Sequence, residues 1–253
     1  MSGIERAVAL VTGAEGGIGR ATALELASGG ADVVVHYYRD QAGANGLAAE
    51  IRALGRQAAV VQADLTKSDQ VKRVFEAAQA AFGRVDILVN NTGDIVGRQP
   101  LVEMTEAFFH QVLDVNVLTT FLCCQAAAPG MIARKRGAIV NLASLAAHNG
   151  GGPGASIYAA AKAAVMTLTK AYAKELAPHG IRVNAVSPGL IGGTNFHGKH
   201  TSREAFEGAV KTIPLGRAGV PEDVARIIAF LASEDAAYLT GETIEINGGM
   251  FMR

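Results

Sequence analysis

Two rhythms of apolar residues alternate along this chain. Short, nearly continuous apolar runs of strand length are separated by stretches with the three-to-four-residue spacing of amphipathic helices. Ala7–Val11 reads as a first strand ending at Thr12-Gly13, and a helical pattern through Ile18, Ala21, Leu24 and Leu26 stops at Gly29-Gly30. Asp32–Tyr37, Ala58–Gln62, Val85–Val89, Ala138–Leu142, Ile181–Val186 and Thr243–Ile246 read as further strands. Between them, Ala42–Leu54 reads as a helix, and a second opens with Ser68 as its cap and closes near Gly83. Glu103–Ile132 holds helical material interrupted by a loop, with Pro129 marking an end or a kink. Ile157–Leu176 and Pro221–Leu231 complete the helices.

Strands that are apolar throughout, each followed by a helix, imply a parallel sheet covered on both faces. About seven of them with right-handed crossovers imply an α/β, Rossmann-type, doubly wound three-layer fold. Residues 1–253 hold no repeat and no linker rich in Pro, Ser or charge, so a single domain is expected. Two irregular stretches break the alternation, His148 to Ser156 and Pro188 to about Ser202. Both follow strands, where open α/β sheets bind ligands, and the second is long enough for a lid.

Composition narrows the function. The chain has 23 basic and 23 acidic residues and no formal net charge, so no basic excess exists to meet a nucleic acid. No run approaches about 20 uninterrupted apolar residues, so no membrane span is expected. Cys123 and Cys124 are adjacent within an apolar run and read as buried thiols, not as a staple or a metal site. No metal is expected, since His148 and His197 lack a third ligand at sensible spacing. The N-terminus lacks the layout of a signal peptide, which makes the cytosol the default location.

Two local patterns carry chemistry. Thr12-Gly13-Ala14-Glu15-Gly16-Gly17-Ile18-Gly19 lies between a strand and a helix. Glycines there permit a tight turn and close approach of a pyrophosphate to the helix N-terminus. Tyr158 and Lys162 are four residues apart and share one face of a helix. A nearby cation favours phenolate, which would make the tyrosine a usable acid and base. The end of the second strand, His36-Tyr37-Tyr38-Arg39-Asp40, has no acid to hold a ribose 2′-hydroxyl, and Arg39 is placed to meet a 2′-phosphate. Asp40 and Glu15 put negative charge nearby, and Arg39 as an ordinary solvated residue stays open.

Taken together these patterns resemble the short-chain dehydrogenase/reductase family over nearly the whole length. Thr12-Gly13, Gly17-Ile18-Gly19, Asn90-Asn91-Thr92-Gly93, Asp114-Val115-Asn116-Val117, Ser187-Pro188-Gly189, Pro214-Leu215-Gly216-Arg217 and Asn247-Gly248-Gly249 carry the likeness. It implies a catalytic set of Asn116, Ser144, Tyr158 and Lys162. It also implies cofactor contacts from Thr12, Gly13, Glu15, Gly17, Ile18, Gly19, Tyr38, Arg39, Asp64, Leu65, Asn91, Gly93, Tyr158, Lys162, Pro188, Gly189 and Ile191. NADP(H) is the preferred cofactor on this reading and NAD(H) a possible one. Thr92 replaces the usual Ala, Gly16 stands where phosphate-binding members often have a base, and the Thr usual after Pro-Gly is displaced to Thr194.

The resemblance implies hydride exchange with a small-molecule carbonyl or alcohol, in a homo-oligomer, tetramer or dimer. A 3-oxoacyl-type reductase leads, a sugar or polyol dehydrogenase is close behind, and a non-catalytic nucleotide-binding scaffold is the reading from another class. Asp94, Arg98, His148, Asn149, Phe196 and His197 are expected at the cleft, and Arg134, Lys135 and Arg136 are a candidate patch for an acyl-carrier protein.

Overall fold

A computed structural model of the chain describes residues 3–194 and 202–252. Seven strands form one sheet: β1 Val8–Val11, β2 Asp32–Tyr37, β3 Ala58–Gln62, β4 Ile87–Asn90, β5 Gly137–Leu142, β6 Ile181–Pro188 and β7 Thr243–Ile246. Their order is β3-β2-β1-β4-β5-β6-β7, with every neighbouring pair parallel. The helices are α1 Gly17–Ser28, α2 Gln41–Ala53, α3 Ser68–Phe82, α4 Glu106–Leu113, α5 Thr119–Arg134, α6 Ala146–Asn149, α7 Ser156–Leu176, α8 Arg203–Val210 and α9 Pro221–Ala232.

The period-two alternation of strand side chains divides the apolar residues between two layers. Ala9, Val11, Val33 and Val35 pack with Leu26 of α1, Leu47 and Ile51 of α2, and Ile228 and Leu231 of α9. Val8, Leu10, Val34 and Leu88 pack with Val71 and Val74 of α3, Met131 of α5 and Leu176 of α7 on the other face. Leu10 is in register with Val34 on one side and Leu88 on the other. Each fully buried Leu or Ile contributes about 1.5–3 kcal/mol, so the two cores hold the sheet rigid beneath its loops.

The chain winds outward from β1 to β3, then returns to place β4 on the other side of β1. The loops after β1 and β4 therefore diverge and open a crevice, where ligands of open α/β sheets bind.

Strand and helix boundaries differ from expectation by one or two residues, with three informative exceptions. Ser68 does not cap α3. Val71 donates to the Lys67 carbonyl, so Lys67 takes the cap position and no side chain caps the helix. No loop separates α4 from α5 either. A π-helical turn, Asp114–Leu118, joins them into one run. Pro129 lies inside α5 without ending it. It removes the bond to the Gln125 carbonyl, and both residues are exposed, so water can satisfy that group.

The joined run Glu106–Arg134 is 29 residues long, with the length and hydropathy a membrane crossing needs. Here Cys123, Cys124, Ala127 and Met131 face the protein core, as a central helix of a sheet layer requires.

Candidate functional site

The crevice between β1 and β4 is stitched by side chains. Thr12 is buried, and its Oγ1 accepts from the backbone N–H groups of Asn91 at 3.0 Å and Thr92 at 2.9 Å. Asn91 Nδ2 donates back to the carbonyls of Thr12 at 2.8 Å and Gly13 at 2.9 Å. Gly13 and Gly17 adopt positive φ, +60° and +53°, which a side chain would strain. At Gly19 an added Cβ would clash with the Gly13 carbonyl oxygen and come within 2.5 Å of Asn91 Nδ2. The first turn of α1 thus lies directly on the loop. Gly16 caps α1 with no side-chain bond, and no acid occupies the first turn, so its N–H groups face the crevice unneutralised.

His36, in the interior of β2, braces this loop, and sequence reading missed it. Its Nδ1 accepts from Gly13 N–H at 3.0 Å, and Nε2 is 3.1 Å from the Ala63 carbonyl, so Nε2 carries the proton. Burial lowers its pKa from 6.5 to about 4, only partly opposed by the Ala63 bond, so the ring is neutral. A polar ring directly after Val33-Val34-Val35, within the same strand, was the available signal.

At the β2 end, Tyr38 N–H donates to Glu15 Oε1 at 3.2 Å, and the Arg39 guanidinium lies 4.8 Å over the Tyr38 ring. Asp64 follows β3, and its Oδ1 accepts from Thr66 N and Oγ1. Leu65 is buried in the core, so only its main chain is free to face the crevice.

On the other side of the crevice, Ser144 follows β5 and accepts from Ala146 N–H at 3.2 Å. The hydroxyls of Ser144 and Tyr158 share a hydrogen bond. Lys162, one turn along α7, is buried and donates to the Leu142 carbonyl at 2.8 Å, with Nζ 5.8 Å from the Tyr158 ring centre. Asn116 sits in the π turn, fully buried. Its Nδ2 donates to the carbonyls of Asp94 at 2.7 Å and Val112 at 2.8 Å, and its Oδ1 is buried with no partner among the described residues. A Cβ on Gly93 would stand 2.7 Å from both Asn116 Oδ1 and Lys162 Nζ. Glycine is what lets these two polar groups converge there.

The electrostatics correct one expectation. Burial pushes the Tyr158 phenol up to about 12, with the Ser144 bond opposing and Asp94 adding to the rise. Burial lowers Lys162 to about 8, and the Asp94 charge opposes that. In the ligand-free protein, desolvation therefore outweighs the pull of the lysine cation on the phenol.

Pro188 ends β6, and a Cβ on Gly189 would meet Asn247 Cβ at 2.7 Å. Ile191 is buried in the core and pairs with Gly219. Thr194 lies against the leading end of α1, where a Cβ on Gly17 would be 3.5 Å from its Cγ2. The displaced threonine thus still reaches the glycine loop.

Among the expected cleft residues, Arg98 donates to the Pro153 carbonyl at 3.0 Å and straps two loops together. His148 and Asn149 lie in helix α6, not in loop. His148 Nε2 meets Glu245 Oε1 at 2.7 Å, and Asn149 Oδ1 accepts from Gly151 N–H. Phe196 and His197 lie outside the described residues. Arg134, Lys135 and Arg136 precede β5 and so occupy the sheet edge opposite the crevice, with Arg134 on Val85 and Asp86 and Arg136 on Glu234. They do not border the cleft.

Known proteins share this arrangement. The family described as enoyl-(acyl carrier protein) reductase matches residues 13–251. A 3-oxoacyl-[acyl-carrier-protein] reductase of Staphylococcus epidermidis is 43% identical over 244 residues, covering 96% of this chain and 98% of its own. The enzyme of that name from Synechocystis is 43% identical over 253 residues, all of both chains. The crystal structure of an NADH-dependent reductase responsible for alginate metabolism superposes with a TM-score of 0.91 at 32% identity, over the full length of both. With a parallel seven-stranded sheet, a glycine loop at its switch point and Ser144, Tyr158 and Lys162 on the facing wall, this chain belongs to the short-chain dehydrogenase/reductase family of NAD(P)-dependent oxidoreductases.

Proposed function

We propose that residues 1–253 act as one domain that reduces a ketone carbonyl to a secondary alcohol, with 3-oxoacyl thioesters as the leading substrate class. The hydrogen-bonded hydroxyls of Ser144 and Tyr158, with Lys162 one turn away, carry this reading. The positive-φ turns at Gly13 and Gly17 and the uncapped, acid-free end of α1 fit the diphosphate of a dinucleotide. Thr12, Gly13, Gly17, Ile18 and Gly19 would hold its pyrophosphate, Tyr38, Arg39, Asp64 and Leu65 its adenosine end, and Asn91, Gly93, Pro188, Gly189 and Ile191 its nicotinamide half. When bound, the coenzyme supplies or accepts the hydride. NADP(H) is the preferred form on the strength of Arg39, with NAD(H) accepted.

Tyr158 gives a proton to the substrate oxygen in reduction and removes it in oxidation. Ser144 hydrogen-bonds the same oxygen and stabilises its developing charge. Lys162, cationic at neutral pH, lowers the cost of phenolate once the proton leaves and holds ribose hydroxyls. The orphan Asn116 Oδ1 accepts a hydrogen bond from Lys162 or from a water between them, which links the buried lysine towards solvent. A sugar or polyol dehydrogenase is the second reading, favoured by the Asp94 charge close enough to act on both Tyr158 and Lys162. The scaffold reading loses support because Ser144, Tyr158 and Lys162 are all present. Homo-oligomerisation fits exposed Leu101, Val102, Phe109 and Phe121, and a cytosolic setting fits two free thiols.

Following reduced-nicotinamide absorbance across ketoacyl thioesters, sugars and keto acids tests the reading. Tyr158→Phe should bind coenzyme as the parent does and lose about 10²–10⁴-fold in turnover. Near-parental turnover would remove the proton-transfer role. Bound coenzyme with no substrate turned over would return the scaffold reading.

A further inference from the structure

The β2 end carries no carboxylate of its own. Asp40, the first acid after the strand, is occupied as the cap of α2, accepting from Gly43 N–H at 2.9 Å. The carboxylate at that strand end arrives from the glycine loop instead. Glu15 Oε1 accepts from Tyr38 N–H at 3.2 Å. Its other oxygen, Oε2, is buried and has no donor among the described residues. Glu15 is fixed there by its neighbours: Gly13 N–H donates to His36 Nδ1, and Ala14 N–H donates to the His36 carbonyl at 2.8 Å. Arg39 lies on the Tyr38 ring and forms no salt bridge among the described residues.

From this juxtaposition we infer that Glu15 tunes coenzyme selectivity, opposing Arg39 and narrowing the preference for NADP(H) by adding affinity for NAD(H). The inference rests on the reading of the crevice as a dinucleotide site. A ribose 2′-hydroxyl is a donor and can satisfy the orphan oxygen of the carboxylate. A 2′-phosphate offers no comparable donor and brings its negative charge against that carboxylate. The energy of two like charges a few ångströms apart rises as water is excluded, so repulsion there is larger than between exposed groups. An acid held at the strand end performs the same discrimination in dinucleotide folds generally. Here it is supplied by the turn between β1 and α1, about two dozen positions earlier in sequence than the strand end it serves.

Equilibrium binding of NADH and NADPH to the full chain, wild type and Glu15→Gln, tests this by intrinsic coenzyme fluorescence. Gln keeps an acceptor for Tyr38 N–H, so the loop is retained. Glu15→Ser is the second variant, and Arg39→Ala is the counter-variant. Adenosine 5′-monophosphate and adenosine 2′,5′-bisphosphate, read by calorimetry, confine the comparison to the adenosine end. Both Glu15 variants should shift the NADPH-to-NADH affinity ratio towards NADPH by about tenfold or more, and Arg39→Ala should shift it the other way. The two adenosine probes should follow the same order. Retained binding of both coenzymes, with a ratio within about twofold of wild type in both Glu15 variants, overturns the assignment alone. Binding of neither coenzyme by the wild type overturns the dinucleotide reading and this inference with it.

Discussion

Acidification should destabilise the fold, and in the end loosen the glycine loop, through His36. In the unfolded chain this imidazole takes up a proton as pH falls through 6.5, whereas burial in the folded protein delays protonation to about 4. Between those values the unfolded state binds more protons, so stability falls as pH falls. Linkage gives about 2 kcal/mol lost at pH 5 and about 3 kcal/mol near pH 4, with almost nothing lost at pH 7.5. Only near pH 4 is the folded protein's own ring protonated, which removes the Nδ1 lone pair that accepts from Gly13 N–H and takes the brace from the glycine loop. Urea unfolding of wild type and His36→Asn at pH 7.5 and pH 5 measures this. Asn is neutral throughout and keeps an acceptor near the Nδ1 position, but gives up the Ala63 bond. The variant should be weaker at pH 7.5 by about 1–3 kcal/mol, yet lose about 2 kcal/mol less than wild type on going to pH 5. Equal losses in the two proteins would refute the assignment, since every other titrating group is common to both.

Two other outcomes follow from the geometry. Gly93→Ala should lower kcat/KM by about tenfold to a hundredfold with little change in Tm, because its Cβ would stand 2.7 Å from both Asn116 Oδ1 and Lys162 Nζ; unchanged kinetics would mean those groups need not converge. Arg182 donates to the carbonyls of Leu231 at 2.7 Å, Ser233 at 2.8 Å, Ala236 at 3.1 Å and Ala232 at 3.3 Å, tying the end of α9 to β6. Arg182→Met should cost about 3 kcal/mol in urea unfolding while leaving turnover per folded molecule intact, and a neutral result would make these bonds redundant with solvent.

The layered fold was legible along the chain because its signals are local. Apolar runs in β1, β2 and β4 occur where both faces of a parallel strand are buried, and helical spacing reappears between them. Asp32–Tyr37, Ala58–Gln62 and Thr243–Ile246 have the bounds read from sequence. The glycine loop and the Tyr158–Lys162 spacing were equally visible, being contiguous motifs whose chemistry depends on neighbours a few positions away. The π turn at Asn116 was not visible, because one extra residue per turn leaves composition unchanged and is stabilised by bonds to Asp94 and Val112. The role of His36 was hidden likewise, since its partners Gly13 and Ala63 are distant in sequence.

Sequence by itself determined the parallel sheet, the glycine turn between β1 and α1, and the placing of Tyr158 and Lys162 one turn apart on a helix. Tertiary structure alone decided that Glu15 reaches the end of β2, that Arg134 and Arg136 lie on the opposite edge from the crevice, and that burial raises the Tyr158 phenol instead of letting Lys162 lower it. The division has one physical cause. Periodicity and turn chemistry are written in adjacent residues, whereas charge and desolvation act through space and take their sign from whatever the fold brings within a few ångströms.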